Sequence, residues 1–463
     1  MTKELDEKAL LDLSPDDEGN AQAVRLLYGE KILYTPAYGW MWYDGKCWQT
    51  KLAEAKINRA IIETLKIRGQ LAFQNASEEN PRRKLIAASQ LSAQRKNNAR
   101  AQLQDILTTN EALFDANPDL LNVANGVLDL RTGELIPHTP DYRFTYILDT
   151  PYEPDAKSPQ WTRFLSETIG HDVIDFLQSA VGYSLTGHTS EELLFYVHGP
   201  TRSGKGTFTE TLLLLLGVPI STEADFETFS AKRDGDTQNF DLAPLKPCRF
   251  VAASESQRYH RLNSSKIKTL TGGNLIRCAF KHRDHFAYRP QFKIWLSSNF
   301  QINIDPDDDA AWARVRVVNF PNSFLGREDK QLKQALRRPE SLKAVLAWAV
   351  AGSQRWYSTK QGLKPPKAVI QATVEAREAL DYISQFIEEH YELVADEAIT
   401  ESDKAWLPSS EVYRRYKEWA EAEGYQPKYQ GGFTQSLKAR GFRAGRKRIA
   451  GALTRCVVGI KEL

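Results

Sequence analysis

An α/β fold built on a covered, mostly parallel sheet is predicted by three features of the chain. The first is the run LLFYVHGPTRSGKGTFTETLLLLL at 193–216: an apolar strand, a glycine-bracketed loop, then an apolar helix. The second is a set of three further apolar runs, at 248–253, 292–297 and 315–320, which lie between helical segments. Strands that read as continuously apolar, rather than alternating, are those covered on both faces, as in parallel sheets. The third is helical periodicity over 51–116, 161–185 and 328–358, which supplies the covering layers.

The whole chain bounds the rest. Its 463 residues suit roughly two to four domains. With 41% hydrophobic and 26% charged residues, it is neither collagen-like nor a disordered polyampholyte. The formal net charge of +2 leaves any affinity for nucleic acid to local patches. Cys47, Cys248, Cys278 and Cys456 have no paired spacing, which argues against zinc and against a disulfide framework. No apolar run is long enough to span a bilayer and the acidic N-terminus does not read as a signal peptide, so the expectation is a cytoplasmic protein.

In chain order, residues 1–16 are polar and expected to fray. An aromatic-rich stretch follows to residue 50, with Asp44-Gly45 as a hairpin turn. The helical region 51–116 carries a basic stretch from Arg82 to Arg100, which suits either a solvated face or nucleic acid. Two short strands at 121–137 are read around the turns Asn125-Gly126 and Thr132-Gly133, and Pro151, Pro154 and Pro159 mark a linker. Near the far end, Lys364-Pro365-Pro366 reads as a hinge. Beyond it, 408–463 is basic, with Lys and Arg outnumbering Asp and Glu by 12 to 5.

The strand–loop–helix at 193–216 is a phosphate cradle. Gly199, Pro200, Thr201, Arg202, Ser203, Gly204, Lys205, Gly206, Thr207 and Phe208 are its candidate cofactor-binding residues, and ATP the candidate cofactor. Glycines let backbone N–H groups close around phosphates, the helix N-terminus adds its dipole, and Lys205 reaches the β- and γ-phosphates. Gly206 occupies the place usually given to the hydroxyl that holds Mg²⁺, so Thr207 is the nearest candidate ligand. Lys-Gly-Thr at this point also occurs in small nucleotide kinases, so the loop by itself leaves motor and phosphotransferase open.

ATP hydrolysis needs a carboxylate for Mg²⁺ or the attacking water, conventionally on the strand next to the loop's own. Glu255, after the apolar run 248–253, is that candidate and a second Mg²⁺ ligand. Asn299 ends the next run; its amide can sense the γ-phosphate or simply close an Asx turn. Arg314, within DPDDDAAWARVR, suits a finger on a neighbouring subunit's γ-phosphate, or else a local salt bridge to the four acids before it. Lys268, Arg277, Lys281, His282 and Arg283 surround a turn at Gly272-Gly273. They suit an exposed hairpin that touches DNA phosphates, with a solvated loop as the alternative.

Taken in order, these pieces resemble the superfamily III helicases of phages and plasmids, the helicase half of phage/plasmid primases and of the related poxvirus primase-helicase. The motifs that carry the likeness are the loop at 199–208, Glu255, KTLTGG at 268–273, Asn299, and WARVRVVNF at 312–320. Where the family often has two arginines after the tryptophan, Ala313 takes the first place, so the finger role falls to Arg314. The resemblance implies a helicase-associated N-terminal domain (1–155), an AAA+ ATPase domain (156–363), and a C-terminal helical and winged-helix domain (364–463). In the last, 433–437 would lie on a recognition-type helix and 438–448 form a basic wing. It further implies a DNA helicase using ATP and Mg²⁺, ring-shaped and hexameric in the family's manner, tracking 3′ to 5′ on single-stranded or forked DNA. A separate primase or polymerase would be a partner, because no Asp-x-Asp primase site is evident before residue 193. The setting implied is the bacterial host cell of a phage, prophage or mobile element. Two other readings stand beside this one: an ATP-controlled replication initiator without processive unwinding, and a small-molecule kinase.

Overall fold

The computed structural model describes residues 7–75, 82–230, 239–255, 261–281, 284–359, 361–394, 405–423, 425 and 427–463. Strand β1 (Leu194–His198) sends Leu194 and Tyr196 into one hydrophobic core and Phe195 and Val197 into another. The two-residue repeat of a strand divides its side chains this way, and burial on both faces explains the unbroken apolar run. Four parallel neighbours complete the sheet: β2 (Ser221–Glu223), β3 (Phe250–Ser254), β4 (Lys293–Ser298) and β5 (Val315–Asn319). Their order is β5-β1-β4-β3-β2. The mixed α/β class with a parallel central sheet is therefore as expected. Strand β2 was not expected, because three polar residues at a sheet edge leave no apolar signature.

Helices cover both faces. His171–Leu185 lies beside Pro339–Ser358, where Gln178 Nε2 donates to Trp348 O at 2.8 Å. The helix Lys367–Glu378 lies along β5, with Thr373 Oγ1 accepting from Val317 N at 3.0 Å. Lys364-Pro365-Pro366 is thus no hinge into a separate unit. Pro366 caps a helix that returns to the sheet, because the edge strand β5 needs its open side covered.

The N-terminal helices Asp17–Tyr28, Ala53–Gln74 and Ala93–Leu107 share a core with a three-stranded sheet. At the predicted Asp44-Gly45 turn, Asp44 Oδ1 accepts from the amides of Lys46 and Cys47, both at 2.9 Å. The second small sheet, Leu120–Val123 with Gly126–Asp129 and Leu135–Ile136, belongs to the main core instead. The buried Arg249, at the foot of β3, stitches the two regions together. It donates to Leu120 O and Leu185 O at 2.8 Å and to Asn117 O at 2.9 Å. Lys293 is buried beside it, and burial followed by the Arg249 charge pushes its amine well below the usual lysine range.

A third core gathers the helices Tyr382–His390, Ser409–Ala422 and Gln430–Ala439 against the antiparallel hairpin Arg443–Ile449/Ala452–Val458. Among the described residues no helix is long and apolar enough to cross a membrane. The four cysteines are free and buried.

Candidate functional site

The loop after β1 bends tightly where its glycines are. Gly204 has φ +95°, and a Cβ there would sit 2.8 Å from Thr168 Cγ2 and 3.0 Å from Phe164 Cε2. A Cβ on Gly199 would meet Phe320 O at 2.2 Å. Both positions therefore need glycine, and the helix Lys205–Leu216 starts directly after them. The tip is braced from behind: Thr201 O accepts from Ser323 Oγ at 2.9 Å, and Arg202 O from Phe324 N at 3.0 Å. Pro200, Thr201, Arg202 and Gly206 are exposed, whereas Ser203 is buried.

Lys205 is the centre of this arrangement. Its Nζ lies 2.8 Å from Gly199 O, 2.8 Å from Pro200 O, 3.1 Å from Ser203 Oγ and 2.8 Å from Asn299 Oδ1. Burial lowers its amine to about 8. A cation ringed by neutral oxygens and facing no carboxylate among the described residues suits a polyanion. Thr207 is half-buried on the first turn of the helix. At Gly206 an added Cβ would find only Glu210 Oε1, at 3.6 Å, so steric crowding does not explain the missing hydroxyl there. Phe208 leaves the expected set. Its ring is fully buried, stacked on Trp161 at 6.1 Å, and its amide bonds Gly204 O, so it anchors the helix rather than lining the cradle.

Asn299 reaches Lys205 because β4 pairs directly with β1. Glu255 does not stand on the adjacent strand, as the reading of the sequence expects; β3 lies one strand further out, with β4 between. Strand β4 is buried at all six positions and takes the middle of the sheet, displacing the carboxylate by one strand. Glu255 still turns inward: Ser298 Oγ donates to its Oε2 at 2.8 Å, and Tyr196 Oη from β1 lies 3.4 Å from the same atom. Tyr196 carried no signal in the sequence beyond membership of an apolar run, and Ser298 none beyond following one.

Arg314 stands just before β5, at the opposite end of the sheet from the cradle. It does not pair with the acids that precede it. Its NH2 meets Glu192 Oε2 at 2.5 Å and its NH1 donates to Ala310 O at 2.7 Å. Those acids are engaged elsewhere. Asp305 pairs with Arg261 and Lys428, Asp307 with Lys428 and Arg440, Asp308 with Lys268, and Asp309 with Arg377. Glu192 was missed by the sequence reading, since it lies 122 residues from Arg314.

Of the expected DNA-contacting residues, Arg277 is exposed on the hairpin Ile276–Ala279/His285–Tyr288, and Lys281 is exposed at its turn. Lys268 is not on that hairpin. It sits in the helix Ser264–Thr271 with its amine 3.0 Å from Asp308 Oδ2, so its charge is already matched. His282 and Arg283 lie outside the described residues.

Comparison with known proteins now gives these features a setting. Residues 21–170 match the family described as "D5 N terminal like". Residues 197–314 match a family of unknown function, DUF5906, and 379–460 match the family "Poxvirus D5 protein-like". The fold class thus defined is a mixed α/β core with a five-stranded parallel sheet, between two regions that match D5-type families. In both flanking regions the chain is similar to the D5-type primase-helicase family.

Among its relatives is a mimivirus protein of Acanthamoeba polyphaga provisionally named helicase L207/L206. It is 25% identical over 329 residues, covering 66% of this chain and 33% of the relative. A protein of African swine fever virus provisionally named primase C962R is 24% identical over 339 residues, covering 67% of this chain and 34% of the relative. The chain thus spans about a third of the length of the curated relatives it matches. The apo C-terminal region of NrS-1 shares the fold, with a TM-score of 0.52 at 12% identity over 95% of this chain and 99% of that one.

Proposed function

We propose that the chain is an ATP-dependent DNA helicase of replication: an AAA+ motor of superfamily III working as a ring, most simply a hexamer, with a winged-helix unit at its C-terminus. The observation that carries this reading is the contact of Lys205 with Asn299 across the β1–β4 pair, beside Glu255, at one end of the sheet. Arg314 stands about five strand residues away, roughly 16 Å, at the other end. An arginine so placed is out of reach of its own chain's cradle and suits the cradle of a neighbouring copy.

In this reading the backbone N–H groups of 201–206 and the Lys205 ammonium bind the β- and γ-phosphates of ATP. The glycine-lined bend and the oxygen-ringed lysine fit such a ligand. Thr207 and Glu255 would hold Mg²⁺, whose charge offsets that of the phosphates. Glu255, oriented by Ser298, positions water, Asn299 reports the γ-phosphate, and Arg314 of the next copy stabilises charge in the transition state. Arg277 and Lys281 contact the translocating strand. The 3′ to 5′ direction and a separate primase or polymerase partner follow from the family likeness. The relatives named above come from eukaryotic viruses, so the bacterial host belongs to the phage likeness alone.

The test is ATP turnover with and without single-stranded DNA, alongside unwinding of a forked duplex, in the wild type and in Lys205→Ala. DNA-stimulated turnover and unwinding, both lost in the variant, are expected. Turnover that survives Lys205→Ala refutes the cradle assignment. Hydrolysis without unwinding favours an initiator, and phosphate passed to a nucleotide instead of water favours a kinase.

A further inference from the structure

Between the helix His171–Leu185 and β1 runs the segment 186–192, which is neither helix nor strand. It lies at the end of the sheet opposite the cradle, and the first residues of three strands reach it or its root. Arg249, before β3, donates to Leu185 O at 2.8 Å. Lys293, at the start of β4, donates to Thr186 O and, at 3.2 Å, to His188 O. Arg314, before β5, meets Glu192 at the far end of the segment. The backbone is also tied to the N-terminal region, where Gly187 N donates to Pro118 O at 2.8 Å.

Side chains add a second set of ties. His188 Nε2 lies 2.6 Å from Asp119 Oδ1, and the Tyr357 hydroxyl donates to the same oxygen at 2.6 Å. The other oxygen of Asp119 is paired with Arg131. Trp356 Nε1 donates to Glu191 Oε1 at 2.7 Å, and Leu363 N donates to Glu191 Oε2 at 3.1 Å. The next residue, Glu192, has φ +54°, a left-handed conformation that glycine tolerates and glutamate disfavours. Such a conformation persists where the surroundings over-determine it. Here Glu191 is fixed on one side, and on the other Leu194 N donates to Arg314 O at 2.8 Å.

We infer that Asp119, His188 and Trp356 are positioning residues for Arg314: by tethering 186–192 they hold Glu192 where its carboxylate aims the guanidinium at a neighbouring copy. Asp119 falls within 21–170, the region that matches the family "D5 N terminal like", and Trp356 lies on the helix Pro339–Ser358. The aim of the finger therefore depends on the N-terminal region as well as on the core. Because the tether stands at the other end of the sheet from Lys205, it acts on the ATP of the neighbour and leaves its own chain's cradle alone. This rests on the reading of Arg314 as a finger in trans.

The test measures ATP turnover by the assembled full chain, with saturating single-stranded DNA, in Trp356→Phe, His188→Ala and His188→Gln. The first keeps an aromatic ring and loses the N–H that holds Glu191; the last keeps an N–H donor for Asp119. A misplacement of about 1 Å caused far from the chemistry can cost roughly 100-fold, so kcat should fall by about tenfold or more in Trp356→Phe and His188→Ala. KM for ATP should stay within about twofold, because the cradle is untouched. His188→Gln should recover most of the loss. Adding Lys205→Ala subunits, whose tether is intact, should restore turnover to Trp356→Phe, since its sound cradles then meet correctly aimed fingers. A merely structural role would give no such restoration. Wild-type kcat in both Trp356→Phe and His188→Ala, a loss carried by KM, or a mixture that stays inactive overturns the inference. Arg314→Ala, measured alongside, separates it from the reading beneath it. Wild-type turnover there strikes both, whereas turnover lost there and kept in the tether variants strikes this inference alone.

Discussion

Replacing Asp307 by Asn should loosen the C-terminal region from the sheet-bearing core by a predictable amount. Asp307 accepts from Lys428 Nζ and Arg440 NH1, each at 2.7 Å, and from the Ser436 hydroxyl. Burial raises its carboxyl, but the hydrogen bonds from Lys428 and Ser436 and the charges of Arg440 and Lys428 outweigh it, holding the group down at about 2 against an ordinary 3.8. That gap corresponds to about 2.4 kcal/mol of folding free energy at neutral pH. Asp305 also contacts Lys428 at 3.0 Å and keeps part of the tether, so the expected loss is about 2 kcal/mol. The unfolded chain binds the proton more readily, so this contribution is complete above pH 3.8 and disappears as the pH falls toward 2. Hydrogen exchange of peptides covering Gln430–Ala439 reads it directly. About 2 kcal/mol means roughly 30-fold faster exchange through local opening in Asp307→Asn at neutral pH. Exchange at the wild-type rate would refute the reasoning, as would a variant that keeps the wild-type acid profile. The consequence extends to the site, since the loop that holds Asp307 joins Asn299 to Arg314.

Three further outcomes follow from the site. Gly204→Ala, with φ +95° and Thr168 Cγ2 in the way, should cost about 1–3 kcal/mol in thermal or chemical denaturation and weaken ATP binding at least tenfold; wild-type melting would contradict the geometry. ATP affinity of the free chain should decline as pH rises through about 8, where the Lys205 ammonium loses its proton, while apo stability climbs from about 8 toward 10.5 because the unfolded chain still holds that proton; titrations on either side of pH 8 check both. Arg314→Ala should keep ATP binding but lose assembly-dependent turnover, and Glu192→Gln should lose part of it by freeing the guanidinium. Adding Lys205→Ala subunits, which carry sound fingers, should restore turnover to both variants; no restoration of Arg314→Ala would defeat the trans assignment.

Much of the core was legible because local rules write it. The tight loop at 199–204 needs glycine for reasons of main-chain geometry, and strands covered on both faces must be apolar at successive positions. These signals located β1, β3, β4 and β5, the lysine, and the strand ends at Glu255 and Asn299. Strand β2 escaped because hydrogen bonding to β3 holds it, and Ser-Thr-Glu shows nothing of that in its composition.

By itself, then, the sequence determined which segments would be strand, cradle and helix, since propensity, periodicity and glycine act over a few residues. The tertiary structure alone decided which strands are neighbours. Insertion of β4 placed Asn299 against Lys205 and moved Glu255 one strand out. It also decided how the charges pair: Arg314 with Glu192, and Asp307 with Lys428 and Arg440, all more than 120 residues apart. Ionic partners are chosen by distance in space, and any of the acids around Arg314 would have served equally well until the fold separated them.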